Sequence, residues 1–409
     1  MAKLGDYIID IAAGPFGSNL KVNCFVPDGF PIIDGANLKG YKVTDNVTKF
    51  VTEEKARSLH RSIAKRNDVV ATISGNVGQI SYIPNDSKYE EYLVSQRQFR
   101  ATFDTDKVFV PYLIYYFHSR EGQHKILSFA NQTGVPALAQ PLKNFKNIDI
   151  TLPDIQTQRS IASILKSLDD KIESNRKINE NLEQQAQALF KNWFIDFEPF
   201  KDGKFIDSEL GLIPEGWRVN SAETIYNINI GKTPPRKQQQ WFSNDSKDVV
   251  WVSISDMGNC GTFINDSSEY LTKEAIQKFN IVLVPQNSIL LSFKLTIGRI
   301  AIANCQLTTN EAIARFTTED MRERDFLYFY LKNFNYSSLG STSSIATAVN
   351  SKIVKKMPIL IPPIKILDAF HKIVYHNLER IRINQLENKR LSILRDMLLP
   401  KLMSGEIEV

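Results

Sequence analysis

The chain has 409 residues, 43% of them hydrophobic and 23% charged, and a formal net charge of +5. This length predicts two or three domains that each bury a core, and the composition excludes extensive disorder. The cysteines Cys24, Cys260 and Cys305 are far apart in sequence, which argues against a zinc site or a disulfide framework and favours a reducing cytoplasm. No segment is expected to span a bilayer, and no signal peptide is expected.

Residues 1–153 are predicted to form a first globular unit of short β-type runs bounded by Gly, Pro and Asn. Residues 69–73 and 79–83 flank the turn Ser-Gly-Asn-Val-Gly, which predicts a hairpin in which Gly78 needs a positive φ. A helix is predicted at residues 110–119 and a last strand at 148–153. The mixed order of strands and helices indicates an α+β unit.

Residues 154–198 are predicted to form one long helix, because Asp154 can cap it and no Gly or Pro follows until Pro199. Apolar residues and two asparagines recur there at alternating spacings of four and three, which is the pattern of a coiled-coil seam. The seam positions are Ile161, Leu165, Leu168, Ile172, Asn175, Asn179, Leu182, Ala186, Leu189 and Trp193. Residues 199–212, rich in Pro, Gly and Asp, are predicted to be a linker loop.

The second half of the chain repeats the first at an offset of about 209 residues. A second α+β unit is predicted at 213–362, with a hairpin at 289–303 in which Gly298 matches Gly78, and a helix at 325–332. A second long helix is predicted at 363–405, followed by a tail at 406–409. Its seam positions are Phe370, Val374, Asn377, Ile381, Asn384, Asn388, Leu391, Arg395, Leu398 and Leu402.

Both seams carry two asparagines at matching levels, Asn175 and Asn179 in the first helix and Asn384 and Asn388 in the second. A polar seam residue lowers stability but fixes register and partner. We therefore expect two tandem pseudo-symmetric α+β units separated by two long helices that pair as an antiparallel coiled coil. A helix of some 40 residues is about 60 Å long, so the expected shape is a dumbbell with nearby termini.

No catalytic constellation stands out in the sequence. Residues 231–233, Gly-Lys-Thr, resemble the end of a phosphate-binding loop but lack its first glycine. Asp45 with Glu-x-Lys at 53–55 fits a loose metal-nuclease pattern, which short charged runs often match by chance. His371 and His376 are five residues apart rather than four, so they are expected at the helix surface or seam edge instead of on a metal.

Five segments, in this order, closely resemble the specificity (S) subunit of type I restriction-modification enzymes. They are Gly-Pro-Phe-Gly-Ser-Asn-Leu-Lys at 14–21, Asn-Trp-Phe-Ile-Asp-Phe-Glu-Pro at 192–199, Ile-Pro-Glu-Gly-Trp at 213–217, Gly-Lys-Thr-Pro-Pro-Arg at 231–236 and Leu-Leu-Pro-Lys-Leu-Met-Ser-Gly-Glu-Ile at 398–407. Gln158 and Arg159 fit the family's helix start, whereas the second copy departs there with Leu367 and Asp368. The resemblance covers essentially the whole chain.

The resemblance implies a double-stranded DNA reader in which two target recognition domains each read half of a split sequence. The helices are implied to set the spacing and to dock two modification (M) subunits, which restriction (R) subunits join. S-adenosylmethionine is then expected on the M subunits, and ATP and magnesium on the R subunits, with no cofactor, metal or catalytic residue on this chain. The alternatives are a coiled-coil protein-interaction scaffold and, less well supported, a stand-alone nuclease or methyltransferase.

Polar side chains in glycine-bearing loops can approach DNA closely, although Ser, Thr and Asn are also common turn formers. Three regions in each copy are predicted to contact DNA: the loop after the first strand, the hairpin tip and the loop before the last strand. In the first copy these candidates are Ser18, Asn19, Lys21, Ser74, Asn76, Gln79, Gln132 and Thr133. In the second copy they are Lys232, Thr233, Arg236, Lys237, Gln238, Lys294, Thr296, Arg299, Thr342, Ser343 and Ser344.

Overall fold

The computed structural model describes residues 2–131, 134–339 and 349–409. The chain divides into two compact units, the first made of Met1–Ile172 with Arg390–Val409 and the second of Glu173–Lys389. Two long helices, each with a part in both units, account for the discontinuous first unit. Both units mix helices with sheets, as the sequence predicts.

The first unit contains thirteen described strands and four short helices. The strands are β1 Ala2–Lys3, β2 Ile8–Ala13, β3 Phe25–Val26, β4 Phe30–Ile33, β5 Phe50–Val51, β6 Ile63–Lys65, β7 Val69–Thr72, β8 Ile80–Tyr82, β9 Glu91–Val94, β10 Gln98–Phe103, β11 Ala130–Asn131, β12 Ala137–Leu138 and β13 Asp149–Ile150. The helices are α1 Glu53–Ser58, α2 Val110–His118, α3 Arg120–Leu127 and α4 Pro141–Lys146. The main sheets have the orders β2-β10-β7-β8 and β3-β5-β4-β9-β6.

The second unit begins within the long helix α5, Ile155–Phe194, and ends within α11, Ile364–Ser404. Its strands are β14 Phe205–Ser208, β15 Gly211–Pro214, β16 Arg218–Ser221, β17 Asn227–Ile230, β18 Phe242–Ser243, β19 Val249–Val252, β20 Phe263–Ile264, β21 Tyr270–Leu271, β22 Ile289–Ser292, β23 Ile300–Ala303, β24 Thr308–Thr309, β25 Ile313–Thr317 and β26 Pro358–Ile361. Its short helices are α6 Ala222–Ile225, α7 Ile254–Met257, α8 Lys273–Lys278, α9 Met321–Asn333 and α10 Ser351–Lys355.

Sheet topology repeats between the two units. The second unit has the orders β17-β25-β22-β23-β20 and β18-β21-β19-β24, which match β2-β10-β7-β8 and the first four strands of β3-β5-β4-β9-β6. Among the described strands, β20 has no counterpart in the first unit and β6 has none in the second. In each unit one short parallel pair at the same place, β4 with β9 and β19 with β24, interrupts mainly antiparallel pairing, and the added strand β20 also pairs parallel with β23. The internal sequence repeat is therefore also a repeat of strand order.

The predicted hairpins form at the predicted places. Val69 pairs with Tyr82 in the first unit, and Ile289 pairs with Ile302 in the second. Gly78 and Gly298 have φ angles of +94° and +88°, which confirms that both positions need the left-handed region that glycine tolerates best.

These central strands are continuously apolar because both of their faces are buried. Val69 and Ala71 pack with Phe117 of α2, whereas Val70 joins a separate cluster on the other face. In the second unit Ile289 packs with Phe326 of α9, while Leu290 faces another cluster. A strand buried on both sides shows no alternation of apolar and polar residues.

The helix α5 starts as predicted, since the Asp154 carboxylate accepts from the backbone N–H groups of Gln156 and Thr157 at 3.0 and 3.1 Å. The predicted linker differs from the structure. Strands β14 and β15 pair within 205–214, so this stretch is partly a hairpin and crosses the expected end of the loop at 212. None of the described helices combines the length and the hydropathy that crossing a bilayer requires.

Candidate nucleic-acid interface

A cavity of about 550 Å³ opens in the first unit between the loop before β3 and the tip of the β7–β8 hairpin. Its apolar wall is formed by Leu20, Val22, Phe25 and Ile32. Its polar wall is formed by Asp34, Lys49, Thr72, Ser74, Asn76, Gln79, Ser95, Gln96, Arg97 and Gln98. An apolar surface facing several convergent polar groups is typical of a ligand-binding site.

Two glutamines on the polar wall are held by neighbouring hydroxyl groups. Thr72 Oγ1 donates to Gln79 Oε1 at 3.3 Å, and Ser95 Oγ donates to Gln98 Oε1. Gln98 is only 2% exposed, although it lines the cavity. Each carbonyl oxygen already accepts one hydrogen bond, and the amide nitrogens are the donors that these residues can offer to a ligand.

The cavity also contains an ion pair and an exposed cation. Lys49 Nζ lies 2.7 Å from Asp34. Burial alone would raise the pKa of Asp34, but the Lys49 ammonium and the N–H of Ala36 outweigh it and hold that pKa below its usual value. Arg97 is exposed, and its backbone carbonyl accepts from Ile73 N at 2.7 Å, which fastens the β9–β10 turn to the hairpin.

The structure brings together three of the first-copy candidates. Ser74, Asn76 and Gln79 line the cavity. Ser18, Asn19 and Lys21 are exposed on the loop whose Leu20 and Val22 form the apolar wall, but they are not themselves part of the lining. Gln132 and Thr133 lie outside the described residues.

The sequence reading missed a second group of cavity residues, Lys49 and the turn residues Gln96, Arg97 and Gln98. A signal was present, because Ser-Gln-Arg-Gln at 95–98 is a polar interruption between the apolar runs of β9 and β10. The pairing of β10 with β7 cannot be read from the sequence. It sets Gln98 opposite Thr72 and brings the β9–β10 turn beside the hairpin.

In the second unit, the loop after β17 and the tip of the β22–β23 hairpin meet at Glu311. Thr233 Oγ1 donates to the Glu311 carboxylate. Burial tends to raise the pKa of Glu311, but the Thr233 hydroxyl and the charges of Lys294 and Arg236 hold it below the usual value. Three predicted candidates, Thr233, Arg236 and Lys294, are thereby brought close to one carboxylate.

Several second-copy candidates also hold the fold. Arg236 forms two contacts of 2.7 and 2.9 Å with Glu269, and its guanidinium lies 4.4 Å from the Phe242 ring and 4.5 Å from the Trp251 ring. Lys232 Nζ donates to Phe279 O at 2.6 Å. Arg236 and Lys232 therefore stabilise the loop after β17.

Of the remaining candidates in this unit, two are held by hydrogen bonds within the protein and three have exposed side chains. Arg299 Nη1 donates to the Ile254 carbonyl at 2.6 Å, and Gln238 Oε1 accepts from Trp241 Nε1 at 2.7 Å. The side chains of Lys237, Lys294 and Thr296 are exposed. Thr342, Ser343 and Ser344 lie outside the described residues.

Comparison with known proteins gives this geometry its context. The model of the type I restriction modification DNA specificity domain matches residues 24–184 and 214–392, which is most of the chain. The chain belongs to this specificity family.

Two curated relatives show the extent of the similarity. The type I restriction enzyme MjaIX specificity subunit of Methanocaldococcus jannaschii is 29% identical over 369 residues, covering 88% of this chain and 82% of its own. The HindI specificity subunit of Haemophilus influenzae is 26% identical over 410 residues, covering 85% and 88%. The fold resembles the crystal structure of a type I S subunit from M. genitalium, with a TM-score of 0.57, 14% identity and coverage of 98% and 94%.

In this member of the specificity family, the two long helices contact each other in antiparallel sense at the asparagines. Asn175 Nδ2 donates to Asn388 Oδ1 at 2.9 Å and to Glu387 Oε2 at 2.7 Å, and Asn384 Nδ2 donates to Asn179 Oδ1 at 2.8 Å. Asn175 and Asn384 are both fully buried. Both hydrogen-bonded asparagine pairs lie within the second unit.

The apolar seam runs partly as predicted. Ile161, Leu165 and Ile172 are buried on α5, and Phe370, Val374 and Ile381 on α11. Towards the end of α5 the buried positions are Phe190 and Phe194, whereas the predicted Leu189 and Trp193 are only half-buried. The shift by one residue follows from α9, because Phe190 and Phe194 both contact Phe326 of that helix as well as α11.

The predicted seam positions Leu168, Leu182, Leu391 and Leu398 are half-buried, and Leu399 rather than Leu398 is buried near the end of α11. In the first unit Leu399 and Leu402 pack with Ile161 and Leu165 of α5 and with two of the tyrosines of α2, Tyr112 and Tyr115. Each helix therefore contacts a globular sheet-and-helix body in addition to the other helix. A heptad pattern in the sequence describes only the contact between the two helices and not the contact of each helix with this body.

The starts of the two helices are fastened differently. Gln158, 1% exposed, donates to the carbonyls of Lys107 and Pro153 at 3.0 and 2.9 Å and accepts from Phe109 N at 2.9 Å. At the repeated position Leu367 is buried in an apolar cluster instead. The departure from the family pattern in the second copy is thus an exchange of a polar junction for an apolar one.

A buried polar network in the second unit joins α11 to α9 close to this apolar junction. His371 Nδ1 lies 2.7 Å from Asp325, and Arg324 pairs with the same carboxylate at 2.5 Å while donating to Asn287 at 2.9 Å. Arg324 and Asp325 are essentially fully buried. His371, expected at the surface or seam edge, therefore ties α11 to α9, a role that sequence spacing does not indicate.

The nuclease-like pattern does not assemble. Asp45 accepts from Tyr92 Oη at 2.6 Å, while Glu53 pairs with Arg57 at 2.8 Å along its own helix. Within the described ranges, no group of three or more His, Cys, Asp or Glu side chains is arranged to hold a metal ion.

Proposed function

We propose that this chain reads the DNA target of a type I restriction-modification complex, with each unit reading one half of a split sequence. Membership of the specificity family supports the assignment to DNA recognition. The observation that carries the division of labour is the cavity of the first unit, where the hairpin tip and the β9–β10 turn gather amides and cations around an apolar wall.

The chemistry of the cavity suits base and backbone contacts at once. Glutamine amides hydrogen-bond base edges, whereas lysine and arginine on phosphates position the protein without reading sequence. With their carbonyl oxygens engaged, Gln79 and Gln98 would donate to acceptors on a base, and the exposed Arg97 would contact the backbone. In the second unit, Lys294 and Thr296 at the hairpin tip would make the corresponding contacts.

The long helices would form an antiparallel coiled-coil spacer that sets the distance between the half-sites. The asparagine hydrogen bonds between α5 and α11 support a fixed register. The spacer would dock two M subunits carrying S-adenosylmethionine, and R subunits carrying ATP and magnesium would join them. Without those subunits the chain would methylate and cleave nothing.

The test is methylation mapping after co-expression with the cognate M subunits. We expect a split motif with adenines methylated on opposite strands. The double substitution Gln79→Ala and Gln98→Ala should relax one half of the motif and leave the other half unchanged, because both residues belong to the first unit. Lys107→Ala is a matched control in that unit, since Lys107 lies outside the cavity and pairs with Asp104 in an exposed contact.

Three results would contradict parts of the proposal. Methylation without a split motif would contradict bipartite reading. Relaxation of both halves by the glutamine pair would contradict the assignment of one half to each unit. Stable association with M subunits but no sequence preference in DNA binding would favour the protein-interaction scaffold.

A further inference from the structure

Leu295 stands at the tip of the β22–β23 hairpin in a position that is unfavourable for a leucine in two ways. Its side chain is 98% exposed, and no described residue covers it. Its φ angle is +60°, in the left-handed region where a side chain crowds its own backbone. Neither packing nor conformational preference accounts for leucine at this position.

The first unit shows which residue the backbone prefers there. Gly75 stands three residues before Gly78, as Leu295 stands three residues before Gly298, and its φ angle is +97°. Glycine adopts this region without strain. The second copy therefore places a large apolar side chain where the first copy has none.

The tip that carries Leu295 is held rigidly. Ser292 is fully buried; its hydroxyl donates to Thr296 O at 2.6 Å and accepts from Arg299 N at 3.0 Å. Thr296 N donates to Lys294 O at 2.7 Å, closing a tight turn around Leu295. Because the scaffold fixes this conformation, the exposed side chain is preorganised before any partner arrives.

The surroundings of the tip fit a polyanion rather than an apolar protein surface. Lys294 precedes Leu295 and is exposed, and the neighbouring loop carries the exposed Lys237 and also Lys232, whose ammonium donates to the Phe279 carbonyl. Basic residues beside one protruding apolar side chain are the combination used by proteins that touch the apolar parts of bases inside a groove. Duplex DNA is therefore the partner that the charge and shape of this tip favour.

We propose that Leu295 inserts into a groove of the half-site read by the second unit and contacts the apolar surface of a base. This proposal rests on the proposed function of the chain. The apolar surface would be either a thymine methyl group or the stacked face exposed at a widened base step.

The test uses the complex with M subunits and DNA carrying the mapped target. Leu295→Gly restores the residue of the first copy, so the melting temperature should stay unchanged or rise, while the affinity for the target should fall on the order of tenfold, as for a mismatched base pair. Leu295→Ala should lose affinity similarly. Leu212→Ala removes another exposed leucine, on β15, and should leave the affinity unchanged.

Modified DNA separates the two sources of apolar surface. Replacing one thymine by deoxyuridine removes its methyl group and should weaken binding of the unsubstituted protein, but not further weaken Leu295→Gly, if the methyl group is the contact. If a base step is opened instead, the fluorescence of 2-aminopurine placed at that step should rise when the unsubstituted protein binds and should not rise when Leu295→Gly binds.

Unchanged affinity of Leu295→Gly for a target that still shows its split motif would overturn this inference and leave the proposed function standing. Parallel loss of affinity and melting temperature would also overturn it, because leucine would then be structural. Absence of any split motif with the unsubstituted chain would instead overturn the proposed function.

Discussion

Replacing Gln158 by leucine transplants the junction of the second copy into the first. Leu367 occupies the repeated position and is buried among apolar side chains, so leucine is compatible with the general architecture. In the first unit, however, the Gln158 amide makes three hydrogen bonds: two join the start of α5 to Lys107 and Phe109 before α2, and one goes to the Pro153 carbonyl just before α5. We expect Gln158→Leu to destabilise the first unit although the substitution makes the copies more alike.

The magnitude follows from the groups left behind. Each of the three hydrogen bonds contributes roughly 0.5–1.5 kcal/mol, and a buried donor or acceptor without a partner costs about 1–3 kcal/mol. Burial of the leucine side chain offsets part of this cost, so we expect the free energy of unfolding to fall by about 2–4 kcal/mol. For a unit of this size, that corresponds to a fall in melting temperature of about 4–15 °C.

The assay combines calorimetry of the purified chain with hydrogen exchange at Phe109, whose N–H donates to Gln158. The exchange at Phe109 should accelerate and the transition of the first unit should move to lower temperature. Arg159→Ala is the neighbouring control; the Arg159 guanidinium lies 4.8 Å from the centroid of the Phe109 ring, and its removal should lower the free energy of unfolding by at most about 1 kcal/mol. A melting temperature within about 1 °C of the original, with unchanged exchange, would refute the reasoning.

Three further predictions follow from other contacts. Arg299→Ala should lower the free energy of unfolding by about 1.5–3 kcal/mol, since its guanidinium donates to the Ile254 carbonyl, and methylation mapping should show unchanged base preference; an altered preference in a folded variant would make Arg299 a base contact. Burial lowers the pKa of His118, so the neutral imidazole stabilises the fold above the pKa that histidine has in the unfolded chain. This stabilisation is lost as the pH falls from 7 to 5. Urea titrations should show a free energy of unfolding that depends less on pH for His118→Phe, and an equal dependence on pH would refute this. Asn384→Leu should lower the melting temperature, because it leaves Asn179 without its hydrogen-bond donor. Replacing both Asn384 and Asn179 by leucine should restore or exceed the original melting temperature. A double variant less stable than the single one would contradict this.

The sequence determined the features that depend on local pattern. The hairpins appear where apolar β-branched runs flank a glycine-bearing turn, and the positive φ of Gly78 and Gly298 follows from that turn geometry. The long helices appear where the two heptad patterns run, and the first begins directly after its capping residue Asp154. The repeat predicted two units of the same α+β type, and the two units have largely the same strand order.

The tertiary structure decided how individual polar side chains are used. Arg299 and Arg236 look like free cations in the sequence, but a carbonyl of a distant helix and a carboxylate on another loop engage them. Gln98 begins β10 and belongs to a polar interruption visible in the sequence, but only the pairing of β10 with β7 places it in the wall of the cavity. Local periodicity fixes which residues share a face of a strand or helix, because it depends on neighbours a few positions away. The partners that satisfy a buried or half-buried polar group come from long-range contacts, which only the folded chain specifies.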